Sequence, residues 1–199
     1  MKILVSLSVA GLLLLASCGG KGKDAASMSY SQEDANEVIA YYNITVDLMK
    51  KLVTTDDISK TLAYMKKDGK GFVIAPIVNR SYFQAKDTTA LLNPGNCFPD
   101  AVRDSLKMLC LAYMDASNKV YANYEEYCQY IKAEDYKDDK YAKGREIAAD
   151  QEEQGKRIQE LRTQIYALVT PYADKAEEAT LKDNPLKDHI MAGKALISS

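Results

Sequence analysis

Tryptophan is absent from the 199 residues, histidine occurs once, and phenylalanine only three times. A lone His189 with no paired ligand builds neither a zinc site nor a His-centred catalytic group, and the HExxH pattern is missing. Four cysteines without a CxxC pair exclude a disulfide-dense scaffold and a cysteine-rich metal fold. Five prolines and ten glycines are too few for a loop-rich or low-complexity chain. Neither charge sign dominates: 26 basic residues face 28 acidic ones, which denies the chain the basic footprint of a nucleic-acid binder. Long apolar runs are missing too, except one at the N-terminus. GxSxG, the Walker loop and GxGxxG are all absent.

The exception is an address. Met1-Lys2 gives a positive start, Ile3 to Leu15 is almost unbroken apolar sequence, and Ala16-Ser17 are small. This pattern is a cleavable secretory signal over 1–17, too short for a comfortable membrane span. Leu15-Ala16-Ser17-Cys18 resembles a bacterial lipobox. That resemblance implies removal of 1–17, lipidation of Cys18 by a diacylglycerol thioether and an acylated (palmitate-type) amine, and attachment to the cell envelope. An ordinary cleaved signal with an incidental Cys is the alternative. Gly19 stands where enterobacterial lipoproteins retained at the inner membrane carry Asp, so the resemblance implies the outer membrane, facing the periplasm. The small and polar residues 18–31 read as a flexible tether.

The rest of the chain, 32–199, reads as one all-α domain: an up-and-down bundle of about five to six helices. Ser31 is an N-cap for a helix over 32–53, with Glu33 and Asp34 in its first turn. Thr54 to Asp57 form a break and a new cap for a helix over 58–67. Residues 72–98 are read as an extended segment or an apolar loop laid over the core, with a turn at Asn93-Pro94-Gly95-Asn96. Pro99 opens a long amphipathic helix to about Lys132, whose inward series includes Leu106, Cys110, Tyr113, Tyr121, Tyr124 and Tyr127. A charged connection leads to a helix from about Asp139 to Thr170. Gln151, Gln154 and Gly155 make its middle polar, which suits a bundle end or a water-facing stretch. Pro171 is expected to end or kink it, and short helices follow over 172–181 and 186–197. Two long helices with a short connection should pack antiparallel. Cys97, Cys110 and Cys128 are read mainly as small buried hydrophobes; one disulfide with one free thiol stays open, though not between Cys110 and Cys128, which a straight helix holds about 27 Å apart.

Tyr127 to Gly144, with Asp135-Tyr136-Lys137-Asp138-Asp139 and Tyr141-Ala142-Lys143-Gly144 inside it, resembles a family of bacterial lipoproteins with a domain of unknown function that includes the YiiG-like proteins. The Tyr42-Asn43 pair in the first helix fits the same pattern. The resemblance implies an all-helical fold and no activity.

What is abundant is tyrosine, with 14 residues. Most sit at core spacing in the long helix, but Tyr130 and Tyr136 fall off that stripe and are expected to be exposed. A groove lined by Tyr130, Tyr136 and Tyr141 beside Asp135 and Asp138 would grip a small ligand or carbohydrate, since each ring offers an apolar face and a hydroxyl. The acidic run Glu134, Asp135, Asp138, Asp139 lacks the Gly of a calcium loop and is read as helix capping. No metal and no cofactor is expected. The leading functional reading is a non-catalytic, lipid-anchored binding or interaction module, not an enzyme, meeting the membrane through Cys18 and an envelope protein or carbohydrate as partner. The alternative is a small-ligand or carbohydrate-binding lipoprotein.

Overall fold

A computed structural model describes residues 25–67, 74–78, 80 and 85–198. Cys18 and the signal expected over 1–17 lie outside the described residues. Among the described residues seven α-helices follow a short 3-10 turn at Ala25–Ser27: α1 Gln32–Lys51, α2 Thr55–Met65, α3 Ala85–Leu92, α4 Asp100–Ala133, the single turn α5 Tyr136–Asp139, α6 Ala142–Thr180 and α7 Lys187–Ser198. Six of the seven have eight residues or more, and no strand occurs among the described residues.

Local chemistry sets the first boundaries. The Ser31 hydroxyl accepts the Asp34 amide at 3.1 Å and starts α1. Thr54 and Asp57 form a reciprocal capping box at the start of α2. The two helices run in line as one broken rod. Tyr41 meets Phe98 and Met49 meets Tyr113, while further along Thr61 meets Gln151 and Met65 meets Tyr127. This rod lies along α4, and α6 returns antiparallel beside both, as two long helices with a short connection should. At a rise of about 1.5 Å per residue, α4 is about 50 Å long.

The apolar stripe of each rod converges on one core that includes Val38, Leu48, Leu106, Cys110, Val120, Ile158, Ile165 and Val169. Met65, Tyr124, Tyr127, Ile147 and Ala148 form a smaller cluster toward the α4–α6 corner. Cys97, Cys110 and Cys128 are all free thiols, the first two buried and Cys128 half-buried. Burial pushes the Cys97 and Cys110 thiols up to about 11.

Tyrosine does work here that glycine caps do elsewhere. The Tyr121 hydroxyl donates to the Leu52 carbonyl at 2.9 Å, Tyr113 to Met49 at 3.3 Å, Tyr127 to Met65 at 2.9 Å and Tyr41 to Leu91 at 3.0 Å. Each acceptor lies at the C-terminal end of a helix, where carbonyls have no intrahelical partner. Arg162 adds bonds to Met49 and Val53 at 3.2 and 3.4 Å, and to the Tyr113 hydroxyl at 3.0 Å.

Several sequence expectations are corrected. Pro171 does not end α6: the helix continues to Thr180, because Val169, Tyr172, Ala173 and Ala176 around the proline are all buried and their packing outweighs the lost hydrogen bond. Gln151 and Gln154 are buried, not water-facing. The Gln151 amide donates to Thr61 Oγ1 at 2.8 Å, and Thr61 donates on to the Asp57 carbonyl, so the polar patch joins α6 to α2. Residues 85–92 form a helix within a stretch read as extended or loop. The tether expected over 18–31 stops short of Tyr30: Ala25, Met28 and Tyr30 pack against the core beside α6.

Candidate functional site

The α4–α6 corner carries most of the predicted site residues. Alpha-4 closes on Glu134 at φ 63°, α5 makes one turn, and the chain reaches α6 through Lys140 at φ 54° and Tyr141 at φ 66°. Three non-glycine residues in the left-handed region within eight positions is uncommon, and a bulky Tyr there is an outlier. Such backbone persists where surrounding contacts over-determine it.

Asp139 is the organiser. Its Oδ1 accepts the Tyr130 hydroxyl at 2.5 Å and its Oδ2 accepts the Lys143 amide at 3.0 Å. The Tyr130 bond first, then the amides of Lys143, Tyr141 and Ala142, hold this carboxyl below the usual carboxylate range. Asp139 therefore caps α6 from two residues before its N-cap, which agrees with the capping reading of the acidic run. The Tyr136 and Tyr141 rings stack nearly parallel, 4.8 Å apart at 17°, and both are half-buried.

Tyr130 does not join them at the surface. It is buried, its ring seated on Gly144, where an added Cβ would stand 3.0 Å from Tyr130 Cε1. The expectation that Tyr130 is exposed is thus corrected: α6 covers it, and the readable signal was Gly144, a helix glycine whose use is close approach. Burial first, and Asp139 second, push the Tyr130 hydroxyl up to about 12. Asp135 and Asp138 are exposed. Lys143 bonds Glu126 at 2.9 Å and is influenced further by Asp135 and Asp139. The corner thus joins two half-exposed rings to a charged rim.

A second concavity went unread in the sequence. A shallow groove of about 390 Å³ runs between α2 and α6, lined by Ser59, Leu62, Glu152, Lys156 and Glu160 among others. Its floor is Gly155, whose Cβ would stand 2.9 Å from Ile58 Cγ2. Glu152 bonds Lys66 at 2.6 Å and Lys156 at 3.1 Å, and these cations hold its carboxyl low. Such a groove suits a polar surface contact more than an engulfed ligand. Among the described residues no group of three or more His, Cys, Asp or Glu is arranged to hold a metal ion, and no helix is long and apolar enough to cross a membrane. His189 is exposed on α7.

A family model for a domain of unknown function, DUF6845, matches residues 29–183. The chain belongs to the DUF6845 family. This DUF6845 protein is similar to a DUF3829 family protein from Bacteroides vulgatus, with 30% identity and a TM-score of 0.68 over 76% of this chain and 98% of that one. It is similar to an alpha helical protein from Bacteroides fragilis, with 30% identity and a TM-score of 0.69 over 86% of this chain and 65% of that one. It is also similar to an uncharacterized DUF3829-like protein from Bacteroides thetaiotaomicron, with 27% identity and a TM-score of 0.63 over 81% of this chain and 58% of that one. No curated protein matches the chain. The expectation of an all-helical domain of unknown function therefore stands.

Proposed function

We propose that this DUF6845 protein is a cell-envelope lipoprotein, related to the YiiG-like lipoproteins, held at the outer membrane by lipid on Cys18. Its helical domain is a non-catalytic binding module whose partner is an envelope protein. The observation that carries this reading is the separation of its two ends. Ala25, seven residues past Cys18, packs with Met28 and Tyr30 near Tyr172 at one end of the bundle. The stacked Tyr136–Tyr141 corner, at the far end of α4, lies about 50 Å away. A rigid rod with an anchor segment at one end and half-exposed aromatic rings at the other suits reaching a partner, and tyrosine is enriched where proteins meet.

The test has two parts. Cells expressing the wild type and Cys18→Ala are fractionated after feeding with labelled fatty acid. The wild type takes up label and sediments with outer membrane, and Cys18→Ala does neither; equal behaviour of the two overturns the anchor. Mild cross-linking then compares the wild type with Tyr136→Ala/Tyr141→Ala. A cross-linked species lost in the double variant supports the corner as the binding surface, and identical cross-linking overturns it.

The near-parallel Tyr136 and Tyr141 rings, in the connection that also carries exposed Asp135 and Asp138, favour a second reading, a carbohydrate stacked on an outer ring face. Titration of tyrosine fluorescence with envelope oligosaccharides tests it: a saturable change lost in Tyr141→Ala supports the sugar, and a flat titration rejects it.

A further inference from the structure

Helix α7 is the one long helix whose described residues are all exposed or half-exposed. Leu186, just before it, is 57% exposed, and Ile190, one turn later, is 39% exposed. The Ile190 amide donates to the Leu186 carbonyl at 3.0 Å, so the two side chains share a face, with Lys187 beside them. The flanking charges are mixed, Lys187 beside Asp188, so the exposed Leu186–Ile190 pair is a small apolar face in a polar rim, the kind of face that an apolar surface covers.

Its place in the fold says what covers it. A tight connection sets the start of α7 beside the end of α6: the Asn184 amide donates to the Leu181 carbonyl and the Lys187 amide to the Asn184 carbonyl, both at 3.0 Å. The Ala25–Ser27 turn packs against α6, and Tyr30 lies near Tyr172, which sets this segment toward the C-terminal end of that helix. Six residues lie between Cys18 and Ala25, and the seven steps reach about 25 Å at full extension. The lipid attached at Cys18 would hold that end of the bundle within this distance of the bilayer.

We infer that α7 is a second membrane contact: Leu186 and Ile190 enter the bilayer interface, with Lys187 at the headgroup level. The inference rests on the lipid-anchor reading above. The several acyl chains read for Cys18 already give stable attachment, so what the helix adds is orientation, not retention. A helix lying at the interface would fix which end of the rod points outward.

The lipidated full chain is reconstituted at one copy per nanodisc of phosphatidylethanolamine and phosphatidylglycerol, doped with a gadolinium-chelating headgroup lipid. Amide signals are compared along the chain. The expected result is loss of the α7 signals by paramagnetic broadening, with signals from 136–141 unchanged. In Leu186→Asp/Ile190→Asp, which alters only exposed side chains, the α7 signals return while the protein stays on the disc. Undiminished α7 signals in a disc-bound wild type overturn this inference and leave the anchor reading standing. A chain that does not co-purify with the discs overturns both. Loss of α7 signals only when two copies share a disc assigns the face to a second copy and overturns the membrane contact.

Discussion

Tyr121 on α4 donates its hydroxyl proton to the carbonyl of Leu52, 69 residues earlier in the chain, at the end of α1. Both groups are buried, so the bond is not exchanged with water. Tyr121→Phe keeps the ring and orphans the carbonyl, which costs about 1–3 kcal/mol. Urea unfolding should show a lower midpoint with an unchanged slope. The same change at half-exposed Tyr136 should stay within about 0.5 kcal/mol.

Gly155→Ala sets two effects against each other. Alanine favours a helix interior over glycine by about 1 kcal/mol. The new methyl, however, would stand 2.9 Å from Ile58 Cγ2 across the α2–α6 contact, and overpacking costs about 1–3 kcal/mol. A net loss of about 1 kcal/mol is expected. In combination with Ile58→Ala the Gly155→Ala penalty should vanish, giving a non-additive double-mutant cycle by thermal or urea melts.

Alkali should unfold the protein cooperatively. Burial raises Tyr41, Tyr113, Tyr121 and Tyr124, and carries Tyr30 and Tyr130 to about 12. These groups are neutral in the fold and ionise near pH 10 when unfolded. Below that pH both states hold the proton and stability is flat. As pH rises through about 10 the unfolded state releases protons first, so stability falls until the folded values are reached. The absorbance of these buried tyrosinates should therefore appear together with the loss of helical circular dichroism, after any rise from the half-exposed rings. Full ionisation of all 14 tyrosines with helicity intact would refute the buried-hydroxyl account.

Glu134 ends α4 in the left-handed region at φ 63°. Glycine adopts that conformation without a Cβ penalty, and helices commonly end on it. Glu134→Gly should stabilise the domain by about 1 kcal/mol, and Glu134→Ala should not. The Lys137–Glu134 pair it removes is exposed and worth little. Paired thermal melts decide the point.

The sequence made the rods legible where local chemistry and periodicity agreed. Ser31, the Thr54–Asp57 box and Pro99 mark their starts, and the stripe from Leu106 to Tyr127 gives the buried face of α4. Readings failed where a distant surface decided. Pro171 is a helix breaker by every local rule, yet buried neighbours hold the helix through it. Gln151 reads as polar surface until Thr61 arrives from another helix to accept from its amide nitrogen. Tyr130 lies off the stripe of its own helix because the surface that buries it belongs to α6. At the candidate site, Tyr136, Tyr141 and the exposed aspartates were readable from the charged connection. The ring stack depends on left-handed backbone at Lys140 and Tyr141, and nothing in those residue types announces it.

The tyrosine-to-carbonyl bonds also have a mechanical meaning. Tyr113, Tyr121 and Tyr127 fasten α4 across the break between α1 and α2, at points spread along one shared axis. A pull between the Ala25 end and the Tyr141 corner would try to slide the rods past one another. Such a load would strain the three bonds and the interlocked side chains between them together, in parallel, instead of opening them one at a time. Alpha-4 acts as a splint, and a rod so braced would transmit tension along its length before it yields.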